Sequence, residues 1–300
     1  MSTAVIEIDL TSADEVCRVL DEGARACREA ACRRGSIEII EAPGKLIATG
    51  DLHDNPIHFQ KVVEAAGMGG AQADPENASH LTLHELIHSD RLMNGMDFSH
   101  RALVRVAALK AIYPERVHVL LANHELSQVI GAGIVKDGVR VVEAFNAGVE
   151  YVFGDEAERV EEAIARFIWA MPLALRCRTH RGDILCAHSV PGVGMMSRFD
   201  GTVLDRELTE EDYSPRRGAA HLMVWGRGYD ADQLVDLVER WGVNLFILGH
   251  EHAENGVRLV PPNAIVLNSD HERGVYLPID LADPPKDAAD AMARVVSLGL

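Results

Sequence analysis

Hydrophobic and polar positions divide the chain into short elements. Ala13 to Arg34 reads as a helix closed by Gly35. SIEII (36–40), the Ala42-Pro43-Gly44 turn and KLIATG (45–50) read as a hairpin, whose second strand runs straight into Asp51-Leu52-His53. A helix is expected over 58–66 and a loop rich in Gly, Ala and polar residues over 67–80. LTLHELIH (81–88) is strand-like and ends at Ser89-Asp90. Leu103, Val106, Ala107 and Leu109 fit a helical face, so Ser99 to Tyr113 is expected to be a helix that Pro114 helps to end. VHVLLA (117–122) is a buried-type strand ending at Asn123-His124.

A mainly helical stretch follows to about Met171. Strands are then expected at LALRCR (173–178) and ILCAH (184–188), a helix over 231–241, and a buried strand NLFILG (244–249) running into His250-Glu251-His252. VRLV, AIVLN and VYLPIDL read as closing strands. Mixed strands and helices predict an α/β class. No linker interrupts residues 50–252. The expected organisation is therefore an N-terminal helical extension (1–35), one domain (36–281) and a peripheral tail (282–300).

Composition narrows the function classes. The net charge of −17 argues against nucleic acid and anionic membrane as partners, since both call for clustered Lys and Arg. Cys17, Cys27, Cys32, Cys177 and Cys186 show neither zinc-type spacing nor a disulfide framework, which suggests a reducing compartment. With no apolar run of membrane-spanning length and no signal-peptide pattern at the start, a cytoplasmic location is expected.

Five apolar strands each run into ligand-type side chains: Asp51-x-His53, Ser89-Asp90, Asn123-His124, His188, and His250-x-His252. Gathered at one sheet edge, these carboxylate, imidazole and amide groups could hold two divalent cations. Such a pair clamps a phosphoryl group and lowers the pKa of a water between the metals.

The ordered set resembles the calcineurin-like metallophosphoesterases, and especially their protein-phosphatase-like branch. GDLHDN resembles the family's opening GDxHG, HSDRLMNG its GDxxDRG, LLANHE its GNHE, LCAHSVPG its strand ending in a lone His, and FILGHEH its GH or GHxH ending. The likeness spans roughly residues 46–280. It implies two mixed β-sheets flanked by helices in a four-layer, α+β-like sandwich. It also implies two metal ions, Mn²⁺ first with Fe or Zn as alternatives. Asp51 and His53 would bind the first metal, Asp90 would bridge, and Asn123, His188 and His250 would complete the second, with His252 a further ligand in the GHxH branch. A metal-bridged hydroxide would attack phosphorus while His124 protonates the leaving oxygen. Arg227 and Arg91 would bind phosphate. The implied partner is a phosphorylated substrate, a phosphoprotein or a small phosphoester.

The departures are specific. Aligning Asp90 and Gly95 with GDxxDRG puts Met93-Asn94 where the family has Asp-Arg, and Asp97 or Glu85 would then orient His124. A competing alignment makes Asp90-Arg91 that pair and Glu85 the bridging carboxylate. Asp54 and Ser189-Val190 replace family glycines. The expected function is a Ser/Thr-type or small-molecule phosphomonoesterase. A phosphodiesterase or dinucleoside polyphosphate hydrolase is the alternative within the fold, and a catalytically impaired, partner-binding relative the alternative outside it. His58, His80, His100, His118, His180, His221 and His271 read as structural or surface residues, while His84 and His88, nearer the site, stay open.

Overall fold

The computed structural model describes residues 8–69, 73, 77–136 and 138–299. Residues 1–7, and 70–72 with 74–76 of the expected 67–80 loop, lie outside the described residues. Helix α1 (Ala13–Glu29) begins where the Ser12 hydroxyl accepts the Glu15 N–H, with Asp14 and Glu15 in its first turn. Next come β1 (Arg33–Arg34), β2 (Ile37–Glu41), β3 (Lys45–Thr49) and α2 (Pro56–Ala65), the last capped by Asn55 with Pro56 at its first position. β4 (His80–Leu83), α3 (His100–Ile112), β5 (Val117–Val119) and α4 (Asn123–Ile130) follow.

A small hairpin, β6 (Val135–Lys136) and β7 (Val139–Arg140), leads to α5 (Val141–Phe153) and α6 (Ala157–Trp169). β8 (Ala174–Arg178) and β9 (Asp183–Ala187) precede a segment of three 3-10 turns over 193–213. The chain closes with α7 (Ala219–Val224), α8 (Ala231–Trp241), β10 (Val243–Leu248), β11 (Val257–Val260), β12 (Ala264–Leu267), β13 (Val275–Asp280), α9 (Ala288–Ala293) and β14 (Val296–Ser297).

These strands form a seven-stranded sheet in the order β1-β2-β8-β9-β10-β12-β11 and a five-stranded sheet in the order β14-β13-β3-β4-β5. Alternation within single strands shows how the layers stack. Leu46 and Ala48 of β3, Ile184 and Cys186 of β9, Leu245 and Ile247 of β10, and Ile265 and Leu267 of β12 share one core between the sheets. Their neighbours Ile47, Leu185, Phe246 and Val266 belong to a second core that includes Leu20 of α1, Leu103 of α3 and Phe167 of α6. Burial on both faces is why these strands read as continuous apolar runs.

One expectation changes. The 36–50 hairpin does not form: β2 pairs in parallel with β8, whereas β3 pairs antiparallel with β13 and parallel with β4, so the 42–44 turn carries the chain from one sheet to the other. A turn signal fixes a reversal of direction and says nothing about the pairing partner. Helix α1 buries Val16, Val19 and Leu20 in the core that holds α3 and α6, and Ala288 and Ala291 of α9 join the inter-sheet core. The segments on either side of 35/36 and 281/282 thus share common cores.

One polar strut crosses the interior. Lys110 of α3 is fully buried, and its Nζ donates to Glu38 Oε1 (3.0 Å) and to the carbonyls of Pro114 (2.7 Å) and Val117 (2.8 Å). His118 holds the other Glu38 oxygen. Burial opposes the Glu38 charge, but His118 and Lys110 outweigh it and hold the carboxyl down to about 2. No helix among the described residues is long and apolar enough to cross a membrane.

Candidate metal centre

Strands β3, β4 and β5 run parallel in one sheet, and β9, β10 and β12 run parallel in the other. Their carboxyl ends meet where Asp51 bridges to Asn268. The Ser269 N–H donates to the Asp51 carbonyl (2.9 Å), and the Gly50 N–H donates to the Ser269 hydroxyl (2.9 Å). A Cβ at Gly50 would lie 1.9 Å from the Leu267 carbonyl oxygen, so the seam needs glycine there. After each strand the chain turns sharply: His53, Glu85, His88 and His250 all adopt positive φ. Such strain in non-glycine residues persists where the surrounding structure enforces it.

Asp51 is buried and accepts the His250 backbone N–H on both carboxylate oxygens (3.0 and 3.1 Å). His188 Nδ1 and His84 Nδ1 lie 3.4 and 3.5 Å from its Oδ1. Burial opposes the charge, but His188 and His84 outweigh it and hold this carboxyl well below the usual range. A Cβ at Gly249 would lie 2.4 Å from Asp51 Oδ1, so the missing side chain makes room for the carboxylate.

Glu85 occupies the centre. Its Oε1 lies 3.6 Å from both His53 Nε2 and His124 Nε2, and its Oε2 lies 3.6 Å from His188 Nε2. His188 Nε2 also lies 2.7 Å from Asn123 Oδ1 and 3.1 Å from His250 Nδ1. Burial, reinforced by the Asp51 and Glu125 charges, pushes the Glu85 carboxyl well above its usual range. Glu125, at the start of α4, holds the turn in place: its Oε1 accepts the N–H groups of Leu86 (2.6 Å) and Ile87 (3.3 Å).

Hydrogen bonds assign the imidazole tautomers. His53 Nδ1 donates to Asp270 Oδ2 (2.9 Å), leaving the Nε2 lone pair toward Glu85. His84 Nε2 donates to the Thr49 carbonyl (3.0 Å), so its Nδ1 lone pair faces His188 Nδ1 at 3.2 Å. His188 then carries its proton on Nδ1 and turns its Nε2 lone pair toward Glu85 and Asn123. His250 Nε2 is buried and finds no partner among the described residues. Burial pushes the His188 imidazole down to about 4, and burial with the neighbouring His188 keeps His250 neutral. The lone pairs of His53 Nε2 and His188 Nε2 thus converge on the Glu85 carboxyl, an arrangement that fits divalent cations. Three ligand groups result: Asp51/His84/His188, His53/Glu85/His124 and Glu85/His188/His250. Glu85 belongs to two of them, as a bridging carboxylate would.

Above these groups lies a cleft of about 580 Å³. His124 lines it, with burial and the adjacent His53 and His88 holding its ring well below the usual imidazole range. Arg227, Trp225 and Lys136 also line it. Of the expected site residues, the structure gathers Asp51, His53, Asn123, His124, His188 and His250. It does not bring Asp90 among them. The Asp90 side chain is 69% exposed and pairs with Lys136 at 2.8 Å on the cleft margin. The reason is strand length: β4 stops at Leu83, five residues before the expected end, so Glu85 rather than Asp90 leaves the strand toward His53, His124 and His188. His252 is exposed on the cleft rim, 5.9 Å from the His271 ring, and joins none of the ligand groups. Arg91 is exposed and donates to the His53 carbonyl (2.9 Å), while Arg227 is exposed and lines the cleft.

By sequence, no family model and no curated protein matches the chain. Solved structures do. A protein serine/threonine phosphatase from Saccharomyces cerevisiae with similarity to human phosphatase PP5 superposes with TM-score 0.63 at 15% identity, over 90% of this chain and 83% of that one. A cold-active protein-tyrosine phosphatase of a psychrophilic Shewanella superposes with TM-score 0.57 at 12% identity, over 81% of this chain and 77% of that one. The chain shares the fold of these two phosphatases. Among the gathered residues, His84 and Asp270 are ones that sequence patterns left unassigned, and Glu85 is the carboxylate of the competing alignment. A signal for His84 and Glu85 was present: His84-Glu85-Leu86-Ile87-His88 has the His-Glu-x-x-His spacing of helical zinc sites. Here it follows a strand, so His84 faces Asp51 while His88 Nε2 turns to Gln128 Oε1 (3.0 Å).

Proposed function

We propose that the chain is a two-metal phosphoesterase acting on phosphate monoesters. The observation that carries this reading is the Glu85 carboxylate, set between His53 on one side and His188 with His250 on the other. His53, Asp51 and Glu85 would hold one cation, and Glu85, Asn123, His188 and His250 the other. Two such cations supply charge for the phosphoryl oxygens and acidity for the attacking water.

The chain's own residues do the rest. Asp270 and Thr49 fix the tautomers of His53 and His84, so that lone pairs face inward. Arg227 offers a guanidinium fork to a phosphoryl oxygen at the cleft. His124, on the cleft wall and 3.6 Å from Glu85, would pass a proton to the leaving oxygen. The structural neighbours are phosphatases of Ser/Thr and Tyr, which favours monoesters.

The test is hydrolysis of an aryl phosphomonoester and an aryl phosphodiester by metal-stripped protein reloaded with Mn²⁺. The reading expects monoester turnover that a chelator abolishes. Turnover of the diester alone would replace it with a phosphodiesterase. Silence on both with two metals bound would leave a binding protein.

A further inference from the structure

Beside the catalytic cleft, and sharing Trp225 and Arg227 with it, lies a second cavity of about 530 Å³. Arg198, Arg216, Arg227 and His221 line it, and no carboxylate does. That is unexpected in a chain with 46 acidic and 29 basic residues. Among the described residues, Arg216 and Arg227 form no ion pair, and the Arg198 guanidinium reaches only the Met195 sulfur (2.6 Å), a weak acceptor. Nearby Arg206 shows the opposite treatment, paired with both Asp200 and Asp212 at 2.7 Å. The molecule therefore pairs one arginine of this region and leaves three lining one concavity, with Arg198 at its border with a hollow that Asp200 and Asp212 line. Their mutual repulsion is relieved by an anion, and guanidinium forks match phosphate oxygens.

Trp225 is the wall between the two cavities. Its indole meets the His250 ring edge-on (6.1 Å, 86°) and stacks on His221 (5.9 Å, 21°). Val193, Met195 and Leu222 add apolar lining. An anion in the second cavity can thus be joined to a phosphoryl group in the cleft by an organic spacer lying over Trp225.

We infer that the pocket of Arg198 and Arg216, with Arg227 at its border with the cleft, is a second phosphate subsite, and that the substrate is a compact organic bisphosphate. This rests on the phosphoesterase reading for the scissile end only. The test uses a matched pair of probes, hexane-1,6-diol bisphosphate and 6-hydroxyhexyl phosphate, which differ by one phosphate. Calorimetry on the metal-stripped chain should show the bisphosphate binding at least about tenfold tighter, the scale of charge-assisted bonds to a phosphate. In the Mn²⁺-loaded chain, kcat/KM should favour the bisphosphate by a similar factor, beyond the twofold that two identical ends provide.

The double variant Arg198→Gln/Arg216→Gln should bring both ratios to about two or less. Arg25→Gln/Arg28→Gln on α1, with the same change in net charge, should leave them unchanged. Equal binding of the two probes by the unaltered chain, or a preference that survives in Arg198→Gln/Arg216→Gln, would overturn the subsite. A binding preference lost in that variant, without hydrolysis of either probe, would uphold the subsite and defeat the phosphoesterase reading.

Discussion

Glu85 Oε2 and His188 Nε2 stand 3.6 Å apart across the seam between the two sheets, each presenting a lone pair to the other. Two acceptors at this spacing leave room for a cation and for little else. Asp90 has its charge met by Lys136 in solvent. Glu85→Gln should therefore lower kcat on a phosphomonoester by about 10³-fold or more, and Asp90→Asn should stay within about threefold. Steady-state rates at saturating Mn²⁺ check both.

His124 Nε2 lies 3.6 Å from Glu85 Oε1 with its ring on the cleft. If it delivers the proton to the leaving oxygen, its loss matters in proportion to that oxygen's basicity. His124→Gln should slow an alkyl phosphate by about 10²–10⁴-fold and p-nitrophenyl phosphate far less. Equal losses on both substrates would point to a positioning role. Metal content, measured alongside, should not change.

Glu125 never reaches the cleft, yet it accepts the backbone N–H groups of Leu86 and Ile87 and so holds the turn carrying Glu85. Glu125→Leu leaves two buried donors without an acceptor. The cost should be about 2 kcal/mol or more in unfolding free energy. Competition with a chelator should show metal affinity weakened by about 10–100-fold.

His100 is fully buried, and neither ring nitrogen has a partner among the described residues. Burial, with a smaller contribution from Arg101, pushes its imidazole down to about 4. The unfolded chain protonates this ring near its ordinary value of about 6.5. Between those values the unfolded state binds more protons, so stability falls as pH falls from about 6.5 to 4. His100→Phe removes this contribution. Urea unfolding of the metal-stripped chain should show a smaller loss for His100→Phe than for the parent between pH 7 and pH 4.5.

The strand ends were legible because burial on both faces writes them as unbroken apolar runs. Leu46 to Thr49, Ile184 to Ala187 and Val243 to Leu248 each deliver a ligand within two residues of the strand end. The segment Leu81 to His88 shows where that signal fails. Its apolar and polar residues continue past the last ladder bond at Leu83, and burial persists through His88, so the pattern alone could not separate a strand from a tightly packed turn. Five misplaced residues put Asp90, rather than Glu85, beside the expected strand end. The 36–50 hairpin failed for a different reason, since which sheet a strand joins is a long-range choice. Asp270 was illegible because its part is to orient His53, 217 residues away in sequence, and nothing local marks such a role.

The most direct test is a metal count. Protein stripped, reloaded with Mn²⁺ and desalted would be assayed by plasma mass spectrometry as the parent, Glu85→Gln and Asp90→Asn. The account predicts two equivalents per chain for the parent and Asp90→Asn, and at most one for Glu85→Gln. Two equivalents retained in Glu85→Gln, with one or both lost in Asp90→Asn, would contradict it.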